Sequence, residues 1–339
     1  MKILFYAARI DEQEAIQAWE HTHSQTQIDT TADILDEKSV YKAQGYDAIV
    51  VQQHIPISSP VIYEQLAVFG IHHIALRITG YEIINFEAAA AAGIVVTNVP
   101  GYSPRSVAEN ALMHTMVLLR HFKKASRRMD QNNFSIKGLE AFEIHNLTVG
   151  VIGVGRIGST SAQIFHALGA RVLGYDIQNV PENVNFESVS LNELLTSSDV
   201  ITIHTTLNKT SFHLIGTKEL AQMKTTALLI NCARGDIIDT NALIKALETH
   251  QIAGAGIDTV EGDTQIFGSN LNQMQNQSQN LQRIQKLLAF ENVTVTPHSS
   301  FYTDEAVKNM VDIALDDIWA IQKHQTSPHI VNPIISGGK

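Results

Sequence analysis

The chain has 339 residues, a length that implies about two folded cores rather than one. Its composition, 44% hydrophobic and 17% charged, is that of a globular protein and argues against a disordered or fibrous chain. Acidic residues outnumber basic ones by 34 to 24, and no basic block interrupts the net charge of −10, which argues against nucleic acid as a partner.

The single cysteine, Cys232, cannot close an intrachain disulfide and fits a reducing compartment. Inside the apolar run ALLINCARG it reads as a packed small residue, not a nucleophile. The apolar part of MKILFYAARIDEQE is too short for a secretory signal, and no small-residue cleavage site follows it. No run approaches the roughly 18 apolar residues needed to span a bilayer. The expectation is a cytoplasmic protein with no membrane partner.

In chain order, short apolar runs alternate with amphipathic stretches, the pattern of parallel strands joined by crossover helices. Strands are predicted at Met1–Ala7, Asp47–Val51, around Ile74–Leu76 and at Ile94–Thr97, with helices over Pro60–Phe69 and Asn85–Ala92. A long helical pattern follows from Pro100 to Arg128, opening at Ser103-Pro104 with a cap residue before a Pro. A second and more regular series places strands at Thr148–Gly153, Arg171–Tyr175, Val200–His204, Ala227–Asn231, Gly254–Ile257 and Val293–Thr296. The Asn/Gln-rich stretch from Asp263 to Arg283 breaks the rhythm and reads as a surface loop or an insertion over 264–283. A closing helix, Asp304 to Gln322, is expected to pack back on the first series and make that domain discontinuous. The predicted class is α/β, with two Rossmann-like domains built on parallel sheets: 1–101 plus 300–339, and 102–299.

Within TVGVIGVGRIGSTSAQIFHALGARVLGYD, Gly153, Gly155 and Gly158 form GxGxxG. The triplet alone is weak evidence, but here it follows an apolar strand, opens a helix, and precedes a strand ending in Asp176. The first glycine permits a tight turn, the second lets backbone approach a pyrophosphate, and the third lets helix and strand pack closely. Arg156 and Ile157, in the helix's first turn, lie where free N–H groups meet phosphate. Asp176 suits an adenosine ribose. Ile177 and Gln178 offer no counter-charge to a 2′-phosphate, so NAD is favoured over NADP.

Arg234 follows one predicted strand in ARGDIID, and His298 follows another in TPHSSFYT. Ligands of open parallel sheets collect at strand C-termini. Arginine suits bidentate carboxylate contact, and histidine titrates nearest neutrality. A carboxylate beside the histidine would raise its pKa and fix its ring. Asp258, Glu261 and Asp263 compete for that place, and spacing does not choose among them.

These stretches, with MKILFYAARIDE, LRITGYEIINFEAAAAAGIVVTNVPGYSPRSVAENA and AGAGIDTVEGD, resemble the D-2-hydroxyacid dehydrogenase family over nearly the whole chain, and its D-lactate and D-2-hydroxyisocaproate branch in particular. The resemblance implies an NAD-dependent enzyme, usually a homodimer, with its active site in the cleft between two Rossmann-like domains. It implies Arg234 as the substrate-binding arginine and His298 as the general acid/base. The family's histidine-pairing glutamate falls at Asp263, one methylene shorter, which implies a looser dyad. Asp258 matches a residue at the nicotinamide end of the cofactor site. Arg77, Ile78, Thr79 and Gly80 match a turn whose amides hold the substrate carboxylate, and Tyr102 an aromatic beside the substrate. Val51 takes a position where lactate-preferring relatives commonly carry Tyr. With Phe301 and Tyr302 as an apolar wall, a pocket for branched or aromatic 2-keto acids is expected. Reduction needs a protonated His298 and should weaken as pH rises; oxidation should show the opposite trend. Rival readings are an NAD(H)-sensing binding protein without turnover and a formate- or phosphoglycerate-type dehydrogenase, against which SPRSVAEN and the FYT after His298 speak.

Overall fold

The computed structural model describes residues 1–178, 185–263, 266, 278–324 and 326–332. In chain order the strands and α-helices are β1 (Lys2–Phe5), α1 (Gln13–Thr22), β2 (Gln27–Thr30), β3 (Ala48–Val51), α2 (Pro60–Val68), β4 (His73–Leu76), α3 (Phe86–Ala91), β5 (Val95–Thr97), α4 (Pro104–Leu119), α5 (Phe122–Asp130), β6 (Thr148–Ile152), α6 (Arg156–Ala167), β7 (Arg171–Tyr175), β8 (Glu187–Ser188), α7 (Leu191–Ser197), β9 (Val200–Ile203), α8 (Thr217–Leu220), β10 (Leu228–Asn231), α9 (Thr240–Glu248), β11 (Gly254–Ile257), α10 (Gln279–Ala289), β12 (Val293–Val295) and α11 (Asp304–His324). They fall into two compact units. One holds Met1–Ser103 and the chain from Tyr302, the other Pro104–Phe301.

The first unit is a parallel sheet in the order β2-β1-β3-β4-β5. Every residue of β3 and β4 is buried, so both sheet faces need cover. Ile62 and Leu66 of α2 with Ala88 and Ala89 of α3 close one face. Ile16 and Trp19 of α1 with Val311, Leu315 and Ile318 of α11 close the other. The last helix thus belongs to the first core, as its apolar spacing suggests.

At the C-terminal end of this sheet lies a sealed ion pair. The side chains of Arg77 and Glu12 are both 0% exposed. Arg77 donates Nε to Glu12 Oε1 at 2.8 Å and Nη2 to Oε2 at 3.2 Å. Its Nη1 and Nη2 also reach the carbonyls of Tyr6 and Ala7, at 2.9 and 2.7 Å respectively. Glu12 also accepts the Arg9 amide at 2.8 Å. The guanidinium is therefore compensated all round, and it ties the loop after β1 to the end of β4.

The second unit is a parallel sheet in the order β12-β11-β10-β9-β6-β7-β8. It is laid down from the middle: β6 first, outward to β7 and β8, then back across to β9. The order reverses between β6 and β9, and the crevice beyond such a reversal is where open α/β sheets take ligands.

Three details differ from the sequence reading. The pattern over Pro100–Arg128 is two helices, because His121 adopts a left-handed φ of +49° between α4 and α5. No residue of α5 is buried, so packing does not force it to continue the axis of α4. The strands β2 and β8 were not foreseen; as edge strands they bury one face at most and carry no apolar run. In the Asn/Gln-rich stretch, 264, 265 and 267–277 lie outside the described residues, but 279–283 are helical. Ser278 caps α10 by accepting from Leu281 N, and Ile284 and Leu287 anchor it in the core. Among the described residues, no helix is long and apolar enough to cross a membrane.

Removing one partner of a sealed pair strands the other charge. Glu12→Ala should lower unfolding stability by about 3–5 kcal/mol, read from urea or guanidinium midpoints. A loss below about 1 kcal/mol would show that Arg77 finds other compensation.

Candidate active site

The glycine turn follows β6. Gly153 sits at φ +84°, and a Cβ there would lie 2.6 Å from the Thr205 amide beyond β9, so only glycine fits the turn. A Cβ on Gly158 would lie 1.8 Å from Gly153 O. A Cβ on Gly155 would meet nothing within 4 Å. The chain therefore closes tightly behind Gly153 and Gly158 and leaves room in front of Gly155, at the N-terminus of α6. Arg156 is exposed, and Ile157 packs partly against the core beneath α6. Asp176, after β7, accepts the Val154 amide at 2.9 Å and the Gln178 amide at 3.0 Å, which fixes the acid beside the turn. Open space before the middle glycine, amides at a helix start and an anchored acid followed by the uncharged Ile177 and Gln178 are what NAD requires, and these residues fit it.

Arg234, Asp258 and His298 follow β10, β11 and β12, neighbouring strands at one end of the sheet. Their loops touch backbone to backbone. A Cβ on Gly235 would lie 2.1 Å from Val260 C, so the glycine after Arg234 lets the two loops close. Asn231 braces the first loop, donating to Arg234 O at 3.0 Å and accepting from Ala233 N at 3.0 Å. The Arg234 Nη1 donates to Ala233 O at 2.8 Å.

The three candidate carboxylates separate clearly. Asp263 Oδ2 lies 3.6 Å from His298 Nδ1, an ion-pair distance longer than a hydrogen bond. Glu261 instead faces His213 and Arg283, both at 3.4 Å. Asp258 is 0% exposed and its acceptor positions are occupied: Oδ1 by Thr296 Oγ1 at 2.5 Å and Ser299 N at 2.9 Å, Oδ2 by Ser300 N at 3.1 Å and Ser300 Oγ at 2.5 Å. The expectation put Asp258 at the nicotinamide end of the cofactor site; in the structure its carboxylate, with four partners from its own chain, holds a turn.

That turn carries His298 at φ +54°, a strained conformation for a residue with a Cβ. The His298 amide donates to Asp258 O at 2.9 Å and Thr296 O at 3.0 Å. The Phe301 ring stands edge-on to the His298 imidazole, centroids 6.5 Å apart. Burial raises the Asp263 carboxyl to about 6. The Val260 amide and the Arg234 guanidinium oppose the rise, while Asp236 and Asp258 add to it.

In the first unit two expectations need correction. The Arg77 amide is not offered to a ligand; it donates to Val51 O at 3.1 Å and extends the sheet, while its side chain is sealed against Glu12. Val51 itself is buried in the core with Leu4, Tyr6 and Ile49, so it lines no open pocket. The physical reason is register. Val51 is the last residue of a strand covered on both faces, and the first side chain past the strand is Gln52, which accepts from Arg9 Nη1 at 2.5 Å. Beyond Arg77, no acceptor among the described residues takes the amides of Ile78, Thr79 or Gly80. The Tyr102 ring packs against the core beneath α11, and its carbonyl accepts from Asn309 at 2.8 Å. Tyr302 is half exposed, with the Arg9 guanidinium 5.7 Å above its ring. Sequence reading passed over Arg9, Thr296 and Ser300. The last two flank His298 closely enough to have been suspected; Arg9 gave no local signal.

The chain is similar to known proteins over nearly its whole length. The family model for the NAD binding domain of D-isomer specific 2-hydroxyacid dehydrogenases matches residues 112–300. A D-2-hydroxyacid dehydrogenase (NAD(+)) of Clostridioides difficile is 37% identical over 98% of this chain and 100% of its own. An aromatic 2-oxoacid reductase of Clostridium sporogenes is 38% identical over 93% of this chain and 94% of its own. The solved structure of a D-lactate dehydrogenase from Sporolactobacillus sp. superposes with a TM-score of 0.87 at 44% identity, covering 98% of this chain and 99% of that one.

An acid whose folded pKa is raised costs stability once it ionises. The contribution is whole below the unfolded value near 4 and is lost as pH rises through about 6. Asp263→Asn should therefore be more stable than the parent above pH 6, by on the order of 2–3 kcal/mol, with the gap closing as pH falls toward 4.5. Denaturant midpoints at three pH values check this, and a pH-independent gap would contradict it.

Proposed function

The chain belongs to the D-isomer specific 2-hydroxyacid dehydrogenase family and is an NAD-dependent oxidoreductase, and on that premise we propose that it reduces a small 2-keto acid, pyruvate or a branched or aromatic homologue, to the D-2-hydroxy acid with His298 as proton donor. The observation that carries this reading is the grouping of His298, Asp263 and Arg234 on neighbouring strand ends, with Asp263 facing Nδ1.

The amides opening α6 would hold the cofactor pyrophosphate, and Asp176 would accept from the adenosine ribose. NADH bound there supplies the hydride that C2 of the keto acid takes up. Arg234 pairs with the substrate carboxylate and draws charge toward the carbonyl oxygen, work suited to a planar guanidinium. His298 gives that oxygen its proton from Nε2, since Nδ1 faces Asp263. Ionised Asp263 favours the imidazolium and so keeps the proton available near neutrality. In the first unit the unpaired amides of Ile78, Thr79 and Gly80 are of a kind that binds carboxylates. Phe301 supplies apolar contact beside His298, and with Val51 withdrawn into the core, the size of the favoured keto acid rests on measurement. The homodimer implied by the resemblance and the cytoplasmic location expected from the sequence form part of this proposal.

The test is NADH consumption across pyruvate, 2-ketoisocaproate and phenylpyruvate. Turnover should fall as pH rises through the His298 titration. His298→Gln should cost about 10²- to 10⁴-fold in kcat while NADH still binds. NADH binding by the parent without turnover of any keto acid would favour the sensing reading instead.

A further inference from the structure

A buried polar chain leads from α4 to the His298 turn, and of its members only Thr296 and Asp258 belong to the site described so far. His114 is 0% exposed, and room for its ring is made by the opposing strand: a Cβ on Gly256 of β11 would lie 2.6 Å from His114 Cβ. The ring nitrogens meet two hydroxyls of β12 and its end, Nδ1 at 2.7 Å from Thr294 Oγ1 and Nε2 at 3.0 Å from Thr296 Oγ1. Burial lowers the His114 pKa to about 4, so at neutral pH the ring has one donor and one acceptor.

The direction of every proton in this chain follows. The Asp258 carboxylate only accepts, so the Thr296 hydroxyl proton points at Asp258 Oδ1, 2.5 Å away. The Thr296 oxygen must then accept from His114, which puts the imidazole proton on Nε2. Nδ1 is left as acceptor and takes the Thr294 hydroxyl proton. Thr294, His114, Thr296 and Asp258 thus form a one-way series. It ends on the carboxylate that also holds the amides of Ser299 and Ser300.

We propose that His114 is a positioning residue for His298, acting through Thr296 and Asp258 to fix the turn from Pro297 to Ser300 that carries the proton donor. The proposal rests on the assignment of His298 made above. A histidine that merely filled space would leave the same cavity lined but would not orient Thr296. With the ring gone, the Thr296 oxygen loses its donor and its hydroxyl is free to turn from Asp258, and the strained turn loses one of four restraints.

Steady-state kinetics on His114→Phe, His114→Gln, Thr296→Val and the His114→Phe/Thr296→Val double variant test this, with His298→Gln alongside. His114→Phe should lower kcat about tenfold with the KM for NADH within about twofold of the parent, since the glycine turn is untouched. His114→Gln, which can donate from Nε2 and accept at Oε1, should recover most of the loss. The double variant should be no worse than the poorer single one, because both cut the same series. Independently of activity, ¹⁵N NMR of the parent, with the His114→Gln spectrum subtracted, should show a neutral ring protonated on Nε2. Parental kcat in His114→Phe, a loss that Gln does not recover, multiplicative losses in the double variant, or a ring protonated on Nδ1 would each overturn the proposal. If His114→Phe does not fold, Thr296→Val must show the same drop in kcat at unchanged NADH KM, or the proposal falls. Retained turnover in His298→Gln would overturn the functional reading and the proposal with it. Loss in His298→Gln with full turnover in His114→Phe overturns the proposal alone.

Discussion

The carboxylate of Asp258 is sealed from water, and the end of the second sheet is organised around it. A buried ion costs several kcal/mol in lost hydration, and each hydrogen bond to a charged acceptor returns about 1.5–3 kcal/mol. With four donors the account closes in favour of the folded turn and leaves enough to hold His298 in a left-handed backbone, a strain of about 1–3 kcal/mol. All four donors come from Thr296, Ser299 and Ser300, on either side of His298, so the same contacts that satisfy the ion also hold the backbone that carries the histidine. The strand before Asp258 reads Gly-Ala-Gly-Ile because α4 and the β12 strand crowd it. A Cβ on Gly254 would lie 2.5 Å from Asn292 O, and one on Gly256 would strike His114.

Buried acids in this chain divide by how fully they are satisfied. Glu12 lies between two guanidiniums and also accepts an amide; Asp258 has its four donors. Both are framework, tying loops to strand ends where no side-chain packing would suffice. Asp263 has one amide, from Val260 at 3.1 Å, and a histidine beyond hydrogen-bond range. Burial raises its pKa, and the single amide opposes that rise without cancelling it. An acid left short of partners beside a histidine is a poor stabiliser, and such a cost is the kind that function, not folding, explains.

How much of this could be read from the sequence depended on whether the signal was local. Parallel strands covered on both faces must be apolar throughout, so β1, β3, β4, β6, β9 and β10 stood out as runs. The edge strands β2 and β8, under no such demand, did not. The glycine motif was legible because Gly153 and Gly158 answer steric needs within six residues while Gly155 leaves open space before the helix. Arg234 and His298 were legible as polar residues at strand ends. The choice among Asp258, Glu261 and Asp263 was not, because it turns on which way each carboxylate points once Gly235 has brought two loops together. Val51 misled for the opposite reason: resemblance placed it at a pocket, while its strand buries it. His114 gave no sign at all, since its partners Thr294 and Thr296 stand 180 and 182 residues away.

The short acid at position 263 gives these observations a common logic. Where the resemblance implies glutamate, one more methylene would let the carboxylate reach the imidazole and set its orientation through a hydrogen bond. At 3.6 Å aspartate still supplies charge, because Coulomb interaction falls slowly with distance, but it supplies little direction, because hydrogen bonding falls steeply. Charge alone suffices to favour the imidazolium. Aim does not follow from charge, and in this chain it must come from elsewhere. The backbone of the turn is one source, and that backbone is held by Asp258, with the Phe301 ring edge-on to the imidazole. On the roles proposed above, the two tasks that one glutamate would combine, charging the histidine and aiming it, divide between Asp263, which faces Nδ1, and Asp258, which holds the turn.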